Sequence, residues 1–196
     1  MISAEWCDRN TLHVATALVG CTLVRQLSGK TLRCLIVETE AYCPGDPACH
    51  AYRGITPSNA AMFGPPCHSY VYLIYGMYHC FNVVTEAANI GSAVLIRAIA
   101  LTHLPHDIDI RYKKQGNRIA AGPGKLCRTL SINRSHTGLA LTPQNQLWLE
   151  HRTQAFQHQI DQGQHALVQT TRIGLSKAVE HPWRWYLKDH PSVSKP

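Results

Sequence analysis

The first residues of this chain whose types and spacing could do chemistry are the carboxylates of Glu38-Thr39-Glu40-Ala41-Tyr42. They close an apolar stretch, Leu32 to Thr39, that reads as a β-strand leading into a loop. Strand alternation puts Glu38 and Glu40 on the same face. One reading makes both of them solvated strand-end carboxylates. The other turns one toward a pocket, where it activates water as a general base. His50 could join it as a hydrogen-bond donor, although a lone histidine is more often structural.

The second chemical feature is Tyr70-Val71-Tyr72-Leu73-Ile74-Tyr75-Gly76-Met77-Tyr78, with four tyrosines around one glycine. It lies in a run from Ser69 to Thr85 that carries no Asp, Glu, Lys or Arg. Val71–Ile74 and Cys80–Val84 read as two strands, joined through Tyr75-Gly76-Met77-Tyr78. Turn residues are normally polar, so large apolar groups at a hairpin tip suggest that the tip enters something. In a basic protein a base stack is a good candidate. Tyr70 reads as core.

Other site motifs are weaker. His103-x-x-His106 and the Cys43, Cys49, His50 group do not form a four-ligand zinc set with familiar spacing. Neither a phosphate-binding loop nor a dinucleotide fingerprint is present, so no nucleotide cofactor is expected. Ser92 lacks the G-x-S-x-G elbow. Gly122-Pro123-Gly124-Lys125 is either a plain helix-entry turn or a phosphate contact made by backbone amides and an ammonium.

The elements that must position these residues can be read along the chain. Asn10 or Thr11 caps a helix through Leu18, with Gly20 as its stop. Cys21–Gln26 reads as a strand, residues 27–30 as a turn, and Leu32–Thr39 as the strand bearing Glu38. Residues 43–68 hold five prolines and three glycines and read as loop, interrupted by a short helix at Ser58–Phe63. Ala93–Ala98 is a strand ending near Arg97. The polar segment 102–120 reads as a mobile loop, Gly124–Ile132 as a helix, and Leu147–Glu150 and Trp185–Lys188 as late strands. Strands outnumber long helices and are not regularly separated by them. That favours an α+β fold: a single domain, 1–196, with a largely antiparallel curved sheet, flanking short helices and a protruding β-hairpin.

Composition narrows the partners. With 19 Lys plus Arg against 12 Asp plus Glu, the formal charge is +7. Nucleic acid, an anionic surface, an acidic partner or plain solubility would each explain it. No apolar run approaches the roughly 20 residues of a membrane span. The first ten residues lack the basic start and apolar centre of a signal peptide. The eight cysteines show no paired spacing and read as buried free thiols in a reducing compartment. A cytoplasmic protein, nucleoid-associated if bacterial, is expected, working as a monomer without membrane contact.

Six segments carry a family likeness: Ile36 to Tyr42, Met62-Phe63-Gly64-Pro65-Pro66, Tyr70 to Asn82, Leu95-Ile96-Arg97-Ala98, Gly122 to Leu126, and Arg172-Ile173-Gly174. In this order they resemble the alkyladenine (3-methyladenine) DNA glycosylases of the mammalian type, which also occur in bacteria. The likeness spans residues 12 to about 188, and ETEAY with YVYLIYGMY is its most specific part. It implies a monofunctional, cofactor-free and metal-free enzyme of base excision repair, acting on double-stranded DNA that contains damaged purines. Such an enzyme flips 3-methyladenine, 7-methylguanine, hypoxanthine or ethenoadenine from the duplex and hydrolyses the N-glycosidic bond with water, without a lyase step.

By the same resemblance Glu40 is the general base, and Arg97 and the Ile173 carbonyl hold the attacking water. Tyr42 and Tyr72 sandwich the flipped base, with His50 at its edge. Asn82 screens out guanine. Tyr75 fills the gap in the stack, flanked by Met77 and Tyr78. With DNA as the partner, the phosphate reading of the helix entry makes Gly124 and Lys125 the DNA-backbone contacts. Ser58, where arginine is common, and Cys67, where glycine is usual, depart from the pattern. A non-catalytic damage-binding module of the same fold is one alternative; a small-molecule hydrolase using Glu40 is another.

Overall fold

The computed structural model describes residues 1–101, 103 and 114–195. Most of the 102–120 segment therefore lies outside the described residues. Among the described residues the fold is α+β, a curled antiparallel sheet of eight strands with a few short helices. Two helices begin the chain, α1 (Ala4–Cys7) and α2 (Thr11–Leu18). The Asn10 side chain caps α2 by accepting from the amides of Leu12 and His13. Gly20, at φ +91°, follows its end. A Cβ there would lie 2.3 Å from the Phe156 ring, so close packing as well as the left-handed backbone selects glycine.

The hairpin β1 (Thr22–Leu27) and β2 (Lys30–Tyr42) turns through Ser28 and Gly29, both at positive φ, as a two-residue connection requires. The strand β2 runs past Thr39, where the sequence suggests an end, so Glu38 to Tyr42 are strand and not loop entry. The cause is pairing on both edges. One edge takes β5 (Ser92–Leu101). The other takes β1 over Lys30–Leu35 and then β8 (Arg184–Leu187) over Glu38–Glu40. Register shifts on either side of Glu38 mark a bulge in the β2–β5 ladder.

The tyrosine tract forms β3 (Ser69–Ile74) and β4 (Tyr78–Thr85). The sheet order is β3-β4-β5-β2-β1-β6, with β6 at Leu147–Glu150, and β7 (Leu167–Thr170) lies outside β8. Helix α3 spans Pro123–Thr129, shorter than the expected Gly124–Ile132, and packs on β4 and β5. Helix α4 (Gln154–Asp161) and strand β7 are elements the sequence reading did not anticipate. The Ser58–Phe63 helix is a single 3-10 turn, Ala60–Phe63.

The main core is built from Val14, Leu18, Ile36, Phe81, Ile96, Leu126 and their neighbours. A second apolar cluster, Cys49, Met62, Tyr70, Val84 and Ala93, sits under the 43–68 loop and backs Tyr42 and Tyr72. All eight cysteines are free thiols.

Candidate active site

The paired glutamates are not solvated. Glu38 and Glu40 both have 0% exposure, and both reach the Arg97 guanidinium. Arg97 comes from β5, between the Ile96 and Ala98 pairs, where the bulge in β2 brings both carboxylates within reach. Its Nε meets Glu38 at 3.0 Å and its Nη1 meets Glu40 Oε1 at 3.1 Å.

Glu40 is held by two further donors. The Ile173 amide donates to Oε1 at 2.8 Å, and the Tyr42 hydroxyl donates to Oε2 at 2.8 Å. An ionised carboxylate offers about four acceptor positions. Among the described residues three are filled, and the one left lies on Oε2. Burial and the neighbouring Glu40 push the Tyr42 hydroxyl far above its ordinary pKa, so it remains a donor.

Tyr42, Arg97 and Ile173 form part of the wall of a cavity of about 150 Å³. Tyr72, His50, Tyr70 and Asn82 line it as well. The structure thus brings together the base-pocket residues expected from sequence. His50 packs edge-on against Tyr72, ring centres 4.4 Å apart, and its Nδ1 lies 2.8 Å from the Tyr70 hydroxyl. Although the residue retains solvent contact, desolvation of the ring lowers its pKa and favours neutral imidazole. Burial pushes the Tyr70 hydroxyl up to about 12. Tyr70 is therefore more than core: it is the partner of His50. Asn82 is buried, and its amide nitrogen donates to the Tyr70 carbonyl at 2.9 Å, which fixes its orientation.

The loop bearing Ile173 and Gly174 is pinned by a fully buried pair that sequence reasoning missed. Arg172 forks onto Asp46, with Nη2 to Oδ1 at 3.0 Å and a second contact from Nη1 to Oδ2. The same Nη1 donates to the Ala41 carbonyl at 3.0 Å. The guanidinium also lies 4.8 Å from the Tyr42 ring centre and 5.1 Å from that of Trp183. One ion pair thus backs a cavity tyrosine and holds the amide that touches Glu40.

At the hairpin tip, Tyr75, Gly76 and Met77 form the connection, while Tyr78 already pairs with Ile74. Tyr75 is 76% exposed and Met77 65%. Tyr75 sits at φ 53°, a left-handed conformation costing a side chain roughly 1–2 kcal/mol. Strain of this kind clusters at functional positions. Tyr78 is half exposed and packs over Gly124 of α3. Lys125 places Nζ 3.5 Å from the Arg118 carbonyl. A second groove shares His50, Tyr70 and Tyr72 with the cavity and carries Arg53, Arg134 and Lys177. Ser58 lines that groove, with its hydroxyl 3.0 Å from Thr56 Oγ1. Cys67 adopts φ 59°, a left-handed conformation that favours glycine.

A buried, braced carboxylate thus lies behind the wall of a tyrosine-lined cavity, on a basic protein with an exposed aromatic hairpin tip. The methylpurine-DNA glycosylase (MPG) family model matches residues 5–191. A protein of Trichodesmium erythraeum named "Putative 3-methyladenine DNA glycosylase" is 50% identical over 201 residues, covering 100% of this chain and 98% of the relative. One of the same name from Synechococcus sp. (strain JA-3-3Ab) is 52% identical over 199 residues, covering 99% of each. Another, from Synechococcus elongatus, is 46% identical over 199 residues, covering 100% of this chain and 93% of the relative. The chain belongs to the methylpurine-DNA glycosylase family. It is a DNA glycosylase, a hydrolase of base excision repair.

Proposed function

We propose that this enzyme removes alkylated and deaminated purines, namely 3-methyladenine, 7-methylguanine, hypoxanthine and ethenoadenine, from duplex DNA, and that Glu40 is its general base. The observation that carries the reading is the Glu40 carboxylate: fully buried, held by Arg97, Tyr42 and the Ile173 amide, with one acceptor position left on Oε2. That position suits a single bound water. Because the carboxylate is buried, the attacking water is held in the cavity wall, where Arg97 and the Ile173 carbonyl orient it.

Tyr42 and Tyr72 take the two faces of the flipped purine. A cationic base such as 3-methyladenine is already a good leaving group, and its attraction to an aromatic face is worth about 0.5–2 kcal/mol. A neutral base needs help at its edge. In the tautomer this reading requires, the Tyr70 hydroxyl donates to His50 Nδ1 and the imidazole proton sits on Nε2 as a donor to that edge. Asn82, locked by the Tyr70 carbonyl, excludes the exocyclic amine of guanine.

Flipping costs a few kcal/mol, less for a damaged or mispaired base. Tyr75 enters the vacated stack and restores part of that cost, with Met77 and Tyr78 beside it. Gly124, Lys125 and the groove with Arg53, Arg134 and Lys177 meet DNA phosphates, so binding weakens steeply with salt. The protein acts as a monomer, and no lysine attacks the sugar. The experiment is single-turnover base release from duplexes carrying each lesion. Release of free base with an intact abasic strand is expected; no release from any of them would remove the proposed substrate range.

A further inference from the structure

Glu38 is a second buried carboxylate that the mechanism above leaves without a task. It does not line the cavity, yet it lies at the centre of a dense network. Its Oε1 accepts from Arg97 Nε at 3.0 Å, from Arg184 Nε at 2.8 Å and from Ser194 Oγ at 2.9 Å. Its Oε2 accepts from the Ser194 amide at 2.7 Å. The Ser194 segment is itself fastened: its carbonyl accepts from Arg118 Nη2 at 2.9 Å, and the Lys195 carbonyl accepts from Arg184 Nη2. Two carboxylates and two guanidiniums are buried together and balance in charge, so charge alone does not explain the arrangement.

The way Arg97 divides its nitrogens does explain it. Nε goes to Glu38, Nη1 to Glu40 Oε1, and Nη2 to Ser194 Oγ at 3.4 Å. A guanidinium beside a carboxylate favours a two-pronged fork. Such a fork on Glu40 would take the remaining acceptor position on Oε2, where the attacking water must bind.

We propose that Glu38 and Ser194 are positioning residues that hold Arg97 on one oxygen of Glu40 and so keep the other oxygen open for the nucleophilic water. The segment at Ser194 is thereby part of the catalytic apparatus, although it does not line the cavity. The inference rests on Glu40 being the base.

Glu38→Gln tests it. The amide would turn an N–H toward the Ser194 N–H or surrender an acceptor that now serves Arg97, and Arg97 would be free to close on Glu40. In single turnover at saturating enzyme, base release should fall about 100-fold, as a displaced reacting group does. Affinity for lesion duplex, measured by anisotropy with the same preparation, should stay within about threefold, under 1 kcal/mol. Ser194→Ala loses only the hydroxyl contacts, and its release rate should fall about fivefold, near 1 kcal/mol. In an Arg97→Lys background, where no fork can form, Glu38→Gln should cost far less than in the native enzyme.

A folded Glu38→Gln enzyme with native release rate overturns the proposal, as does an equal fall in rate and affinity. If Glu38→Gln does not fold, a native rate for Ser194→Ala overturns it. Glu40→Gln, run alongside, separates the two ideas: full activity there removes the base assignment itself.

Discussion

Replacing Asp46 by alanine should destabilise the enzyme more than most single substitutions, because it strands a charge. The side chains of Asp46 and Arg172 both have 0% exposure. Without the carboxylate, the guanidinium keeps as close contacts the Ala41 and Ala178 carbonyls, at 3.0 and 3.3 Å, and the Tyr42 and Trp183 rings. Breaking a buried pair by removing one partner costs about 3–5 kcal/mol. Asp46 Oδ1 also accepts from the Ala48 amide at 2.9 Å, and that turn is lost too. For a chain of this length each kcal/mol moves Tm by roughly 2–4 °C, so the melting point should fall by about 6–20 °C. Asp46→Asn keeps an acceptor and should fall less, about 1.5–3 kcal/mol for a charge-assisted bond. Thermal melts followed by circular dichroism at neutral pH, with urea titration as a second measure, read both. A drop below about 3 °C for Asp46→Ala would refute the claim that this pair sustains a buried charge. The surviving folded fraction should also release base more slowly, since Arg172 anchors the loop whose Ile173 amide braces Glu40.

Three other outcomes are expected. Tyr75→Ser should leave Tm unchanged and lower affinity for lesion duplex about 5- to 150-fold, the equivalent of 1–3 kcal/mol of lost stacking; undiminished affinity would take the wedge role from Tyr75. Gly124→Ala would place a Cβ 3.0–3.1 Å from the Cβ, Cγ and Cδ1 of Tyr78, and a clash of about 1 kcal/mol on the tip should weaken lesion binding about fivefold in a fluorescence titration. Burial lowers the pKa of His50, of His136 (with Arg25 adding to it) and of His190 (with His165). Unfolded histidines take up protons below about pH 6.5 while these resist. The folded state then binds fewer protons, so stability is full above that value and is lost as pH falls toward the lowered folded values. Tm should hold from pH 7.5 to about 6.5 and decline from there to pH 5.5 at fixed ionic strength; a flat or rising Tm below pH 6.5 would contradict this.

Much of the scaffold was legible because local chemistry dictates it. Asn10 and Gly20 bracket α2, and Ser28-Gly29 turns the first hairpin, by rules that act within a few residues. The tyrosine strands were readable from their apolar run and the glycine between them. The end of β2 was not, because Glu38 and Glu40 look like surface residues until β5, β8 and Ser194 enclose them. Helix α4 escaped notice because its sequence, QAFQHQID, buries no residue fully and leans on the Thr153 cap. Strand β7 is four residues that gain meaning only by pairing with β8. The Asp46–Arg172 pair joins positions 126 residues apart, and no local pattern announces it. The site residues emerged only through their likeness to a family; composition and spacing alone left Glu40 open between a solvated carboxylate and a base.

Single-turnover release of hypoxanthine and 3-methyladenine from duplex DNA, comparing the native enzyme with Glu40→Gln, addresses the central claim most directly. Loss of the general base should slow release by about 10²–10⁴-fold, with lesion binding retained and the product strand uncut. A Glu40→Gln enzyme that releases both bases at the native rate would contradict the account.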